Sequence, residues 1–196
     1  MGVLAIASDG DRFRMSLLLC FSGQIGSGKS SVSAAVATAL GWRRTGFGDY
    51  LRTEIVRLGG DPNDRKVLQD LGQSLVDTDA AAFCRDVLAA GGFHPVDDFV
   101  IDGIRHINIF DILTTVSAPS QARLLFLGAC ETTRIARVET RPDAQDFARA
   151  SAHRVEAELR DALPQRADAV INGDQSLDRV VSDCLDVVKH WQQNLP

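Results

Sequence analysis

Lysine is scarce in this chain. Only Lys29, Lys66 and Lys189 occur among 21 basic residues, the other 18 being arginine, so a lysine inside a motif is informative. Positive charge is not in excess either. Twenty-six acidic residues leave a net charge of −5 and a pI of about 5.3, which argues against binding nucleic acid through a general basic surface. Six prolines and 16 glycines, in a composition 45% hydrophobic and 24% charged, exclude collagen-like, coiled-coil and disordered chains. No apolar run approaches the roughly 20 residues of a membrane helix. Residues 1–15 lack a basic segment ahead of an apolar one, so neither a membrane span nor a secretory leader is expected and the cytoplasm is the default. The four cysteines, Cys20, Cys84, Cys130 and Cys184, form no CxxC pair and lie in apolar or helical patterns, and they read as buried thiols in a reducing compartment. His94, His106, His153 and His190 show no ligand spacing and are read as non-functional.

What is present is alternation. Short apolar runs alternate with amphipathic segments over 196 residues, the pattern of parallel βαβ units around one core. Strands are expected at 17–22, 43–47, 99–102, 123–128 and 169–172. A helix over 29–40 carries Val32, Val36 and Leu40 on one stripe. Asp49 is placed as the N-cap of a helix carrying Leu51, Ile55 and Leu58. Two further helices, 65–76 and 80–90, form an insertion. A last helix from Ser176 has Leu177, Val180, Cys184, Val187 and Trp191 on one face. Residues 1–14 read as a dispensable extension and 15–196 as one domain.

Gly23-Gln24-Ile25-Gly26-Ser27-Gly28-Lys29-Ser30 matches G-x-x-x-x-G-K-[ST] in full. It follows an apolar strand and opens an amphipathic helix, which aims backbone N–H groups and the positive helix end at phosphate. Gln24 through Ser31 are the candidate ATP-binding segment. Lys29 reaches the β- and γ-phosphates, and the Ser30 hydroxyl is a ligand for magnesium. At the end of the third strand Asp102 has the form of the acidic partner of such a loop, a second magnesium ligand, against the alternative of a turn-former. Arg105, Asp49 and Arg52 lie at neighbouring strand ends, where active sites of parallel sheets are found. Arg134, Arg137 and Arg141 share one helical face ahead of Pro142. They read either as forks for a transferring phosphoryl group or as a solvated face paired with Glu131 or Glu139.

Together with Gly48-Asp49-Tyr50-Leu51-Arg52, Asp102-Gly103-Ile104-Arg105 and Ala167-Asp168-Ala169-Val170-Ile171-Asn172, this motif resembles the P-loop nucleoside and nucleotide monophosphate kinases, including adenylate kinase-like and dephospho-CoA kinase-like relatives. The resemblance spans about 17–188. It implies an α/β three-layer fold with a five-stranded parallel sheet of order 2-3-1-4-5, an acceptor-binding helical insertion at about 49–97 and a short lid at about 138–147. It also implies Mg2+ with ATP as cofactor and a small phosphorylated acceptor, most simply a nucleoside monophosphate, with no nucleic acid or membrane partner. Lys29, Asp102, Arg137 and Arg141 would be catalytic, Asp49, Arg52 and Arg105 would bind the acceptor, and Asn172 and Gly173 would lie by the adenine. Asp-Gly-Ile-Arg is one residue shorter than the family's Asp-Gly-Phe-Pro-Arg. A dephospho-CoA kinase-like enzyme and a nucleotide-binding module without turnover are the alternatives.

Overall fold

The computed structural model describes residues 15–139 and 158–194. β1 (Leu17–Ser22) is buried at every position, as a strand covered on both faces must be. It is the middle strand of a five-stranded parallel sheet of order β2-β3-β1-β4-β5, completed by β2 (Arg43–Gly46), β3 (Phe99–Ile104), β4 (Gln121–Gly128) and β5 (Ala169–Asn172). This is the order expected from the sequence.

Alternating side chains along the strands divide the core into two layers. On one face Leu18, Cys20, Phe99, Ile101, Leu124 and Phe126 meet α2 (Phe47–Arg57), α3 (Arg65–Ala90) and α4 (Ile107–Val116). On the other, Leu17, Leu19, Phe21, Val100, Leu125 and Leu127 meet α1 (Lys29–Leu40) and the C-terminal helix, α7 (Leu177–Gln193). α5 (Glu131–Glu139) follows β4. A π-helical turn, Glu158–Ala162, runs into α6 (Leu163–Arg166) before β5. Full burial of each such Leu or Phe contributes roughly 1.5–3 kcal/mol, so the two apolar layers hold the strand ends in place.

The structure differs from the sequence-based expectation in several places, each with a local cause. α2 begins at Phe47 with Gly46 as its cap, so Asp49 is not the N-cap but lies in the first turn. Its carboxylate is drawn to Arg44 and Arg52 instead of to a backbone N–H. The two helices expected at 65–76 and 80–90 are joined as α3, yet Asp79 breaks the run (φ −158°, ψ 87°) and accepts a hydrogen bond from the Ala82 N–H at 2.8 Å, capping the second half. α4 forms just after Arg105, as the alternative reading of that residue as a solvated position opening the next helix implies, although its β-branched Ile107 and Ile109 carry weak helix propensity. Packing of Ile109, Phe110 and Leu113 decides it. Leu177 is half exposed, and Val180, Cys184 and Val188 make the buried stripe of α7. Cys20, Cys84 and Cys184 are buried thiols as expected, whereas Cys130 is exposed. No helix among the described residues is long and apolar enough to cross a membrane. The expected extension at 1–14 lies outside the described residues.

Candidate active site

The segment between β1 and α1 folds as a tight loop, with the Ser27 N–H donating to the Gln24 carbonyl at 3.1 Å. Gly28 caps α1 in the left-handed region (φ +89°), where a side chain would be strained. α5 rests on this loop. A Cβ at Gly26 would lie 2.6 Å from the Arg134 carbonyl oxygen, so only glycine admits that approach. Arg134, buried, donates from Nη1 to the Ile25 carbonyl at 3.3 Å. Arg137 donates from Nη1 to the Ser27 carbonyl at 3.0 Å and from Nη2 to the Gly173 carbonyl at 2.8 Å. With these carbonyls occupied, what the loop offers an anion is its N–H groups and the positive end of α1.

Among the described residues, the arginine face of α5 is thus turned onto the loops, Arg134 and Arg137 each donating to backbone carbonyls. Arg137, expected to face a transferring phosphoryl group, instead ties the loop after β1 to the loop after β5 and does not line the crevice described below. Arg141 and residues 140–147 of the expected lid lie outside the described residues. Gly173 stands beside the loop, a Cβ there lying 3.3 Å from the Ser27 carbonyl oxygen. The Gly173 N–H donates to the Gly128 carbonyl at 2.6 Å, and Asn172 Oδ1 accepts from the Asp174 N–H at 3.0 Å, an Asx turn that shapes the segment.

Cys130, immediately before α5, donates its N–H to the Asp174 carboxylate at 2.9 Å. That bond, with the Thr133 hydroxyl, holds the Asp174 carboxyl below its ordinary value. Hydroxyls of Thr132 and Thr133, each 3.1 Å from Sγ, lower the Cys130 thiol likewise.

Asp102 sits opposite Gly46 in the β2–β3 ladder. Immediately after it the β1–β3 register slips, Phe21 facing Asp102 and Ser22 facing Ile104, and Gly103 at φ +93° takes up the extra residue. The shortened Asp-Gly-Ile-Arg stretch thus carries a bulge that turns the chain toward Arg105. Asp102 is buried, and its Oδ2 accepts from Arg44 Nη2 at 3.0 Å while Oδ1 has no hydrogen-bond partner. Arg44 Nη1 is also 3.2 Å from Asp49 Oδ2, and Arg52 Nη1 is 3.5 Å from Asp49 Oδ1. A Cβ at Gly46 would come within 2.9 Å of Asp49 Oδ2, so the glycine leaves room for that carboxylate.

Asp102, Gly46, Asp49 and Arg52, though not Arg44, line a crevice of about 840 Å³ across the carboxyl ends of β1, β2 and β3. It brings together Ile25, Gly26, Gly28, Lys29, Ser30, Ser31, Asp49, Arg52, Asp102 and Arg105. Gln24, Ser27, Asn172 and Gly173 lie outside its lining. The sequence reading missed Arg65, Gln69 and Gln73 on α3, and His106 after β3, all of which line the same crevice. Gln69 and Gln73 are one helical turn apart, a spacing visible in the sequence but shared by many surface pairs.

Among the described residues no group of three or more His, Cys, Asp or Glu is placed to hold a metal ion. The oxygen-bearing side chains present in the crevice, Ser30 and Asp102, fit magnesium, which takes few protein ligands and fills its remaining positions with phosphate oxygens and water.

No protein-family model matches the chain, and no curated protein matches it. Solved structures do. A gluconokinase from Sinorhizobium meliloti 1021 superposes with a TM-score of 0.61 at 20% identity, covering 93% of this chain and 96% of its own. The shikimate kinase from Aquifex aeolicus vf5 gives 0.54 at 13% identity, with 90% and 99% covered. The Bacteroides thetaiotaomicron shikimate kinase gives 0.53 at 14%, with 89% and 99%. The fold is that of the P-loop kinases. Lys29, Ser30 and Asp102 line one crevice at the carboxyl ends of the strands.

Proposed function

We propose that this chain is a phosphotransferase that moves the γ-phosphoryl group of ATP, as its magnesium complex, to a small anionic acceptor, a nucleoside monophosphate being the best match. The observation that carries the reading is the single crevice joining the phosphate loop to Arg52, Arg65 and Arg105. Its far wall combines apolar Leu51, Leu68, Val76 and Phe83 with the amides of Gln69 and Gln73, a surface suited to a flat base with polar edges.

In this mechanism the chain works by positioning and electrostatics. Lys29 and the loop N–H groups hold the β- and γ-phosphates. Ser30 and Asp102 would hold the magnesium ion, which when bound offsets phosphate charge. Arg52 and Arg105 seat the acceptor in line, and the lid stretch containing Arg141 adds positive charge. Both Asp49 oxygens are engaged by arginines, which suits an acceptor that needs no base. A monophosphate oxygen is already anionic at neutral pH.

A second reading is transfer to a hydroxyl, by a dephospho-CoA kinase-like reaction or to a hydroxy acid such as those the neighbours' names indicate. Asp102 Oδ1, unpartnered and buried at the crevice, favours it as a proton acceptor. ADP formation under Mg-ATP with ribo- and deoxynucleoside monophosphates, dephospho-CoA, gluconate and shikimate separates the two. The expected result is stimulation by one or more monophosphates. Stimulation by a hydroxyl acceptor alone would put the second reading first, and no stimulation by any would leave a binding module.

A further inference from the structure

Arg44 occupies the short strand β2, where no motif marks it. It is about one-fifth exposed and engages three elements at once. Its Nε donates to Ser33 Oγ on α1 at 3.0 Å, Nη1 reaches Asp49 on α2 at 3.2 Å, and Nη2 reaches Asp102 at the tip of β3 at 3.0 Å. Ser33 Oγ in turn donates to the carbonyl of Ser30, the loop's last motif residue, at 3.1 Å. The strand period makes the reach possible. Arg44 and Gly46 share a face of β2, Val100 and Asp102 are their partners on β3, and Val100 packs in the layer beneath α1.

We infer that Arg44 is a positioning residue that fixes the Asp102 carboxylate at the crevice by its Oδ2, for the metal–nucleotide side, and at the same time anchors Asp49 on the acceptor side. This rests on the phosphotransferase reading above. A planar guanidinium with several donors can hold two carboxylates and a hydroxyl in one geometry, which an ammonium cannot. Partners that orient a metal-binding carboxylate alter metal affinity by about 10–100-fold when removed.

The test is a Mn2+ titration of the full chain with a non-hydrolysable ATP analogue, followed by electron paramagnetic resonance, for the parent, Arg44→Gln, Asp102→Asn and the double variant. Circular dichroism confirms folding. If Arg44→Gln does not fold, Arg44→Lys replaces it with the same expectations. Arg44→Gln should weaken Mn2+ binding by about 10-fold or more. On the Asp102→Asn background the same change should add less than about twofold, because its effect runs through Asp102. In acceptor kinetics Arg44→Gln should raise the acceptor KM while metal-free nucleotide affinity stays within about twofold. Unchanged or tighter Mn2+ binding in Arg44→Gln, or additive losses in the double variant, would overturn the inference while leaving the phosphotransferase reading intact. A parent that binds neither Mn2+ nor the analogue would overturn both.

Discussion

The two ends of the crevice are built differently. On the phosphotransferase reading, the nucleotide end is one continuous stretch, 23–30, whose chemistry would reside mostly in backbone N–H groups; arginine bonds to its carbonyls maintain its shape. On the same reading, the acceptor end is assembled from α2, α3 and the turn after β3, which line the crevice with the side chains of Arg52, Arg65, Gln69, Gln73, Arg105 and His106. A backbone site must keep its spacing and its glycines, whereas a side-chain site can change ligand by substitution without moving the chain. In the proposed reaction the first end would therefore set the chemistry, and the second would decide the acceptor.

The sharpest break in this comparison comes from the one indispensable side chain of the nucleotide end. Lys29→Ala should fold like the parent and lose phosphoryl transfer by orders of magnitude, read as kcat alongside a thermal melt. Turnover within about threefold of the parent would remove the phosphate-loop mechanism. At the other end, Arg52→Ala and Arg105→Ala should each raise the acceptor KM by about 10-fold while leaving the KM for ATP within about twofold, since one charge-assisted contact contributes about 1.5–3 kcal/mol. Equal changes in both constants would mean that the two ends are not separable.

A smaller effect is expected where α5 clamps the loops. Arg137→Ala removes the bonds to Ser27 and Gly173 and should lower stability by about 1–3 kcal/mol in urea denaturation, with weaker ATP binding. A variant of parental stability that loses kcat alone would return Arg137 to the catalytic role first expected of it.

The smallest effect concerns the cysteines. Alkylation requires the thiolate, so at pH 8 iodoacetamide should modify Cys130 first, with a rate profile rising below the ordinary thiol range. Burial pushes Cys84 and Cys184 up to about 12 and raises Cys20 well above its ordinary value, so these three should stay unmodified in the native protein. Peptide mapping reads the outcome directly.

This division also explains what was legible in the sequence. The loop at 23–30 and the place of Asp102 at the end of β3 could be read because each is set by a short pattern at a strand end, and the strand order followed from the family resemblance. Asp49, Arg52 and Arg105 could be placed near the crevice for the same reason. Arg44 could not, since an isolated arginine in a four-residue strand carries no pattern and its partners lie up to 58 residues away. The spacing of Arg134 and Arg137 correctly put them on one helical face, but spacing does not say what that face meets. The extent of α4 could not be read because packing, not propensity, makes it a helix, and the exposure of Cys130 because a cysteine's apolar surroundings in sequence do not ensure burial.

The most direct measurement of the central claim is the fate of label from ATP carrying 32P in the γ position, incubated with magnesium and the best acceptor from the screen, for the parent and Lys29→Ala in parallel. The account predicts label recovered on the acceptor in amounts equal to the ADP formed by the parent, and none above background with the variant. Label released only as inorganic phosphate, at a rate indifferent to the acceptor, would contradict it.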